Sequence, residues 1–234
     1  FAHEQVIRTW EDGDVDTWTH ADKDLDNRRA RQTPDFSPSV YGRFDLWYGG
    51  VGTVPKLLEF NAQTPTSLIE GALTQWEWLI ETGQGHDQWN SLHERLIAAW
   101  KRNLDLLAKS RPWLPKLPKV FFAYETSETS GDDRMNTAYL RETCEQAGYP
   151  TELIAMSQIG WDVAEDRMVF KLDPNDQKDA GEPIAIIFAL YPWEWMWGEE
   201  GGKPIFRDMG EPSKRGTVWI EPPYTAALWS NKAL

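Results

Sequence analysis

The chain has 234 residues, 41% of them hydrophobic, with a formal net charge of -13 and a single cysteine. That composition supports at least one buried core, and the acidic balance argues against nonspecific binding to nucleic acid, where Lys and Arg must neutralise phosphates. No run approaches the ~20 apolar residues of a membrane-spanning helix, and Cys144 has no partner for an internal disulfide, so the simplest location is cytoplasmic.

Residues 1–40 carry seven acids between Glu11 and Asp26 and read as a polar, acidic lead-in. Next, YGRFDLWY and PKLLEFNA alternate apolar and polar residues on either side of GGVGTV, the pattern of an antiparallel hairpin with a Gly-rich turn. Helical spacing follows at about 66–81 and 91–108. Each begins with a capping-box spacing, Ser67 before Glu70 and Ser91 before Glu94. The hairpin and these helices make up a unit over 41–112, closed by the proline-spaced RPWLPKLPK.

From 113 to 234 the order is strand (KVFFAY), helix (RMNTAYLRETCEQAGY), strand (PTELIAM), a loop, strand (PIAIIFALY) and strand (TVWIEP). An α/β subdomain with a largely parallel sheet is the expected fold. GEEGGKPIFRDMGEPSKRG is rich in Gly, Pro and charge and reads as a loop.

In the hairpin, Arg43 and Asp45 are two residues apart, as are Glu59 and Asn61, so each pair points to one face of its strand. If the faces coincide, Asp45, Glu59 and Asn61 offer hard oxygen ligands suited to Mg²⁺, and the planar fork of Arg43 suits a phosphate. The alternative is an exposed hairpin face with ordinary charges. DGDVDTWTHADK lacks the Gly and Glu of a calcium loop at its sixth and twelfth positions. The four histidines show no zinc-binding spacing, and neither GGVG nor EEGGK continues as a phosphate loop.

Four blocks, YGRFDLWY, KLLEFNAQTPTSLIEGALTQWEWL, LYPWEW and WIEPPYTAALWSNKAL, together resemble the synthetase domain of the glutathionylspermidine synthase family over about residues 40–234. The resemblance implies an ATP-grasp-type fold and ATP- and Mg²⁺-dependent joining of a carboxylate to an amine through an acyl phosphate. It implies that Arg43 and Asp45 contact ATP and Mg²⁺, that Glu59 and Asn61 are further Mg²⁺ ligands, and that Lys232 contacts ATP phosphates. Thr64 and Thr66 fall on glutathione-contacting hydroxyl positions. Asp132 and Asp133 fall on an acidic pair that meets glutathione and the polyamine, and Glu194 aligns with a substrate-binding Trp-Glu-Thr block.

Trp195 departs from that block, standing where the family has a threonine that contacts glutathione. The implied partners are therefore small molecules, a glutathione-like peptide and a polyamine-like amine, with neither nucleic acid nor membrane. The ATP clamp of the fold is expected to be missing from this chain, which stops two residues after Lys232. The rival reading is a ligase-derived binding or scaffold protein without catalysis.

Overall fold

The computed structural model describes residues 38–127, 129–176, 178–210, 216–228 and 230. Lys232 and nearly all of the acidic lead-in lie outside them. The hairpin is β1 (Arg43–Trp47) and β2 (Lys56–Asn61), paired antiparallel. Its turn contains Gly50 and Gly52 at φ of 96° and 87°, a region that L side chains rarely occupy.

A π-helical segment, Glu70–Thr74, runs into α1 (Gln75–Thr82), which stops at Gly83 in the left-handed conformation, a common helix end. The expected start at Ser67 differs. Ser67 has φ 64°, and the Leu68 N–H donates to Asn136 Oδ1 rather than to a local cap. Burial of Leu68, 1% exposed, anchors this entry through tertiary contact instead.

Helix α2 (Leu92–Ser110) buries Leu96, Trp100, Leu104 and Leu107, spaced four, four and three apart, as an amphipathic helix should. Its capping box also does not form. Ser91 Oγ accepts from Arg95 Nε at 2.9 Å, and Asn90 Oδ1 takes the Leu92 N–H at 3.3 Å.

The remaining elements are β3 (Val120–Tyr124), α3 (Asp132–Gln146), β4 (Thr151–Ala155), β5 (Ile159–Asp162), β6 (Arg167–Phe170), β7 (Glu182–Pro183) and β8 (Ile186–Leu190). After them come α4 (Trp193–Gly198), α5 (Gly202–Gly210), β9 (Val218–Ile220) and α6 (Pro223–Leu228). The order β4-β3-β8-β9 makes a four-stranded sheet in which every pairing is parallel, so the expected α/β architecture holds.

Both faces of this sheet are covered, which is why its strands are continuous apolar runs. Val120, Phe122, Ile186 and Phe188 point toward α2 and α3, where Trp100 meets Phe122 edge-on at 5.2 Å. Phe121, Ala123, Ile187 and Trp219 face the other side, with Trp193, Met196 and Ile205. Each fully buried Phe stabilises the fold by about 1.5–3 kcal/mol relative to exposure.

Two segments read as loops are structured. Strands β5, β6 and β7 form a separate antiparallel sheet within the stretch between β4 and β8. They have only four, four and two residues, too short for alternation to declare itself. Within GEEGGKPIFRDMGEPSKRG, residues 202–210 form α5. Phe206 packs on Trp193 and Trp197 at 5.5 and 4.9 Å. Pro204 sits in the first turn, where a helix has no intrahelical use for the missing N–H.

Candidate active site at the carboxyl edge of the sheet

Residues directly opposite in an antiparallel pair share a face, and the register sets Arg43 against Asn61 and Asp45 against Glu59. All four therefore lie on one side of the hairpin. Phe44 and Phe60, stacked at 4.3 Å, take the other. The register shifts immediately after Asp45, a bulge that ends this alternation where the polar set ends.

Arg43 Nε donates to Asp45 Oδ1 at 2.8 Å and Nη2 donates to Oδ2 at 3.4 Å, while Nη1 reaches the Thr66 carbonyl at 3.2 Å. The hydrogen bond to Asp45 raises the Arg43 pKa further, and the Glu59 charge adds to it. A permanently charged donor fork thus lies between two carboxylates and the loop that follows β2.

Asn61 turns that loop. Its Oδ1 accepts the N–H groups of Gln63 and Thr64 at 3.2 and 3.0 Å, and its Nδ2 donates to the Thr64 carbonyl at 3.2 Å. The amide oxygen is thereby engaged twice by backbone, so metal ligation through it would require exchanging those bonds. Thr64 and Thr66 are half-buried along the same loop.

Three contacts fasten this assembly to the sheet. Gln63, 4% exposed, donates its amide to the Tyr191 carbonyl at 3.0 Å, and the Ala62 N–H reaches Ser230 Oγ at 3.0 Å. The Leu68 N–H bond to Asn136 adds α3. Asp132 and Asp133 are in the first turn of α3, which follows β3, and Glu194 is in the first turn of α4, which follows β8.

Because β3 and β8 are parallel neighbours, both first turns emerge at the same carboxyl edge. From β3 the chain crosses to β4 on one side, whereas β8 lies on the other, so the crevice between them is a topological switch point. Ligands of open α/β sheets bind there. A cavity of about 610 Å³ at the opposite edge, lined by Trp113, Arg167, Ile184, Asp208 and Thr217 among others, includes none of the candidate residues.

The sequence reading missed Gln63, Tyr191 and Glu221. Tyr191 donates its hydroxyl to Glu199 and meets Trp195 edge-on at 5.7 Å; burial, then Glu199, pushes its pKa up. Glu221 stands in WIEPPYTAALWSNKAL, where nothing local distinguishes a buried acid. Among the described residues no group of three His, Cys, Asp or Glu side chains could hold a metal ion by itself.

The profile described as glutathionylspermidine synthase pre-ATP-grasp matches residues 30–234. A Haemophilus influenzae protein described as a "Putative acid--amine ligase" is 35% identical over 200 residues, 84% of this chain and 44% of its own length. The chain thus spans less than half of that relative.

Proposed function

Because the chain belongs to the glutathionylspermidine synthase pre-ATP-grasp family, we propose that it forms the acceptor side of an ATP- and Mg²⁺-dependent ligase joining a peptide carboxylate to an amine. The observation that carries the reading is the cross-strand set of Arg43, Asp45, Glu59 and Asn61 on one hairpin face, fastened to the carboxyl edge of the parallel sheet.

Two carboxylates on one face fit Mg²⁺, which is usually held by one or two carboxylates together with substrate phosphates and water. Asp45 and Glu59 would hold it, with Asn61 joining only if its amide oxygen left the backbone. Bound there, Mg²⁺ would neutralise charge on the phosphates of ATP. In this reading Arg43, held by Asp45 and by the Thr66 carbonyl, presents its remaining donor capacity to phosphate oxygens. Thr64 and Thr66 orient the peptide acid, and Lys232 is assigned to the ATP phosphates.

The reaction needs no protein nucleophile. The γ-phosphoryl group passes to the peptide carboxylate, and a neutral amine nitrogen attacks the acyl carbon. Phosphate leaves and the nitrogen gives up a proton. Asp132, Asp133 and Glu194 attract and orient the other, cationic nitrogens of a polyamine-like substrate. The proposed setting is cytoplasmic; no helix among the described residues is long and apolar enough to cross a membrane.

The test is incubation of the full-length protein with Mg²⁺, ATP, and panels of short peptides and amines, with mass spectrometry of products. An amide of summed mass less water, formed with stoichiometric ADP, is expected. ADP release without an amide, or no turnover across the panels, would overturn the reading.

A further inference from the structure

The chain entering the strand that delivers Arg43 is held at Tyr41 by a residue 180 positions away. Glu221 follows the last residue of β9 and is 2% exposed. Its Oε1 accepts the N–H of Val40 at 2.7 Å and of Tyr41 at 3.1 Å. Both donors precede β1, which begins at Arg43, so the ladder with β2 does not use them. An unpaired buried N–H is costly, and one carboxylate oxygen serves two of them.

The same residue also grips the other half of the site: its main-chain carbonyl accepts from Trp193 Nε1 at 3.1 Å, one residue before Glu194. Glu221 thus joins the entry to β1, the end of β9 and the first turn of α4. The Ser39 side chain also hydrogen-bonds the carboxyl, while the second oxygen, Oε2, is buried without a hydrogen-bond partner among the described residues. A buried carboxylate so sparsely satisfied is an expensive way to fill space, since an apolar side chain would pack there without desolvating a charge. What an apolar side chain could not do is accept the two amides.

We propose that Glu221 is a positioning residue for Arg43: its buried carboxyl pins residues 40 and 41 to the carboxyl end of β9 and so fixes where the guanidinium stands relative to Asp45 and the Thr66 carbonyl. The role given to Arg43 rests on the ligase reading above; the pinning itself does not. Only Gly42 separates Tyr41 from Arg43, too short a lever to absorb a loose anchor. Displacements of about 1 Å at a catalytic group can cost on the order of 10²-fold in rate.

The test uses the full-length protein and two readouts. Amide hydrogen exchange at Val40 and Tyr41 should accelerate about tenfold or more in Glu221→Leu, with Phe122 in β3 unchanged, whereas Glu221→Gln, which keeps a carbonyl acceptor, should stay within a few-fold of wild type. In ligation, Glu221→Leu should lower kcat about tenfold or more and Glu221→Gln should restore most of it. In an Arg43→Ala background Glu221→Leu should add little, because two residues acting through one group are not additive. Should Glu221→Leu not fold, Glu221→Asp, one methylene shorter, replaces it with the same expectations. Unchanged exchange at both amides overturns the proposal, as does full additivity with Arg43→Ala. If no substrate pair is turned over, the ligase reading falls, and the exchange data alone decide the pinning.

Discussion

The side-chain amide of Gln63 donates to the main-chain carbonyl of Tyr191 at 3.0 Å, bridging 128 positions of sequence. One buried hydrogen bond thereby holds the loop after β2 to the end of β8, the central strand that leads into Glu194. Gln63→Leu, similar in volume, leaves that carbonyl unsatisfied and should lower stability by about 1–3 kcal/mol. Urea unfolding reads this directly, and a change below about 0.5 kcal/mol would mean that water replaces the amide without loss.

Arg43→Ala in the full-length protein should lower turnover by on the order of 10²-fold or more, the usual cost of one preorganised charge-stabilising donor. Its fold should barely notice. The Arg43–Asp45 pair is partly exposed, 31% and 39% on the two side chains, and exposed ion pairs contribute about 0–1 kcal/mol. Near-normal turnover with unchanged stability would reduce the pair to an ordinary surface contact.

Asp45→Asn tests the carboxylate separately from the arginine. Removing one unit charge from the hairpin face should raise the Mg²⁺ concentration for half-maximal activity by about tenfold or more, a fraction of the Coulomb attraction expected near a protein surface. Arg43 keeps an amide oxygen to accept its shortest bond but loses the second carboxylate oxygen and the charge that pairs with it, so the fall in kcat at saturating Mg²⁺ should be partial but measurable. A Mg²⁺ titration indistinguishable from wild type would remove Asp45 from the ligand set.

Trp195→Thr restores the residue that the resemblance leads one to expect. The indole is 56% exposed and leans on Tyr191, so it occupies space at the crevice without being needed by the core. The variant should lower KM for a glutathione-like peptide about tenfold with little change in melting temperature. A higher KM would indicate that the indole itself contacts the acid.

The fold was legible where local pattern and burial agree. Alternating Phe121 and Phe122 fill two different faces of one sheet, and the stripe Leu96, Trp100, Leu104 announces α2. It was illegible where distant packing decides, as in α5, whose glycines and proline read as a loop until Phe206 is seen against Trp193. The i,i+2 spacing foretold that Asp45 and Glu59 could share a face, but only the register brings the two strands together. Glu221 could not have been singled out: the N–H groups it accepts belong to residues at the other end of the chain, and a lone Glu before two prolines carries no local signal.

The pH dependence of stability offers an independent view of that carboxyl. Burial pushes the Glu221 pKa up to about 7 from the ordinary 4.5, while Ser39 and the amides of Val40 and Tyr41 pull the other way and lose. The folded state therefore holds the proton more tightly than the unfolded one. Below about pH 4.5 the group is neutral in both states and imposes no charge-burial penalty. Between about 4.5 and about 7 the unfolded chain ionises first, binds fewer protons than the folded protein, and stability falls with rising pH. Above about 7 the group is ionised in both states and the full penalty, on the order of 3 kcal/mol, is present. Glu221→Gln does not titrate, and the other carboxylates are common to both proteins, so they cancel in the difference between the two unfolding free energies. That difference should move in favour of the variant from about pH 4.5 to about 7 and then level off. A flat difference, or one favouring the wild type as pH rises, would mean that the folded protein balances the Glu221 charge after all.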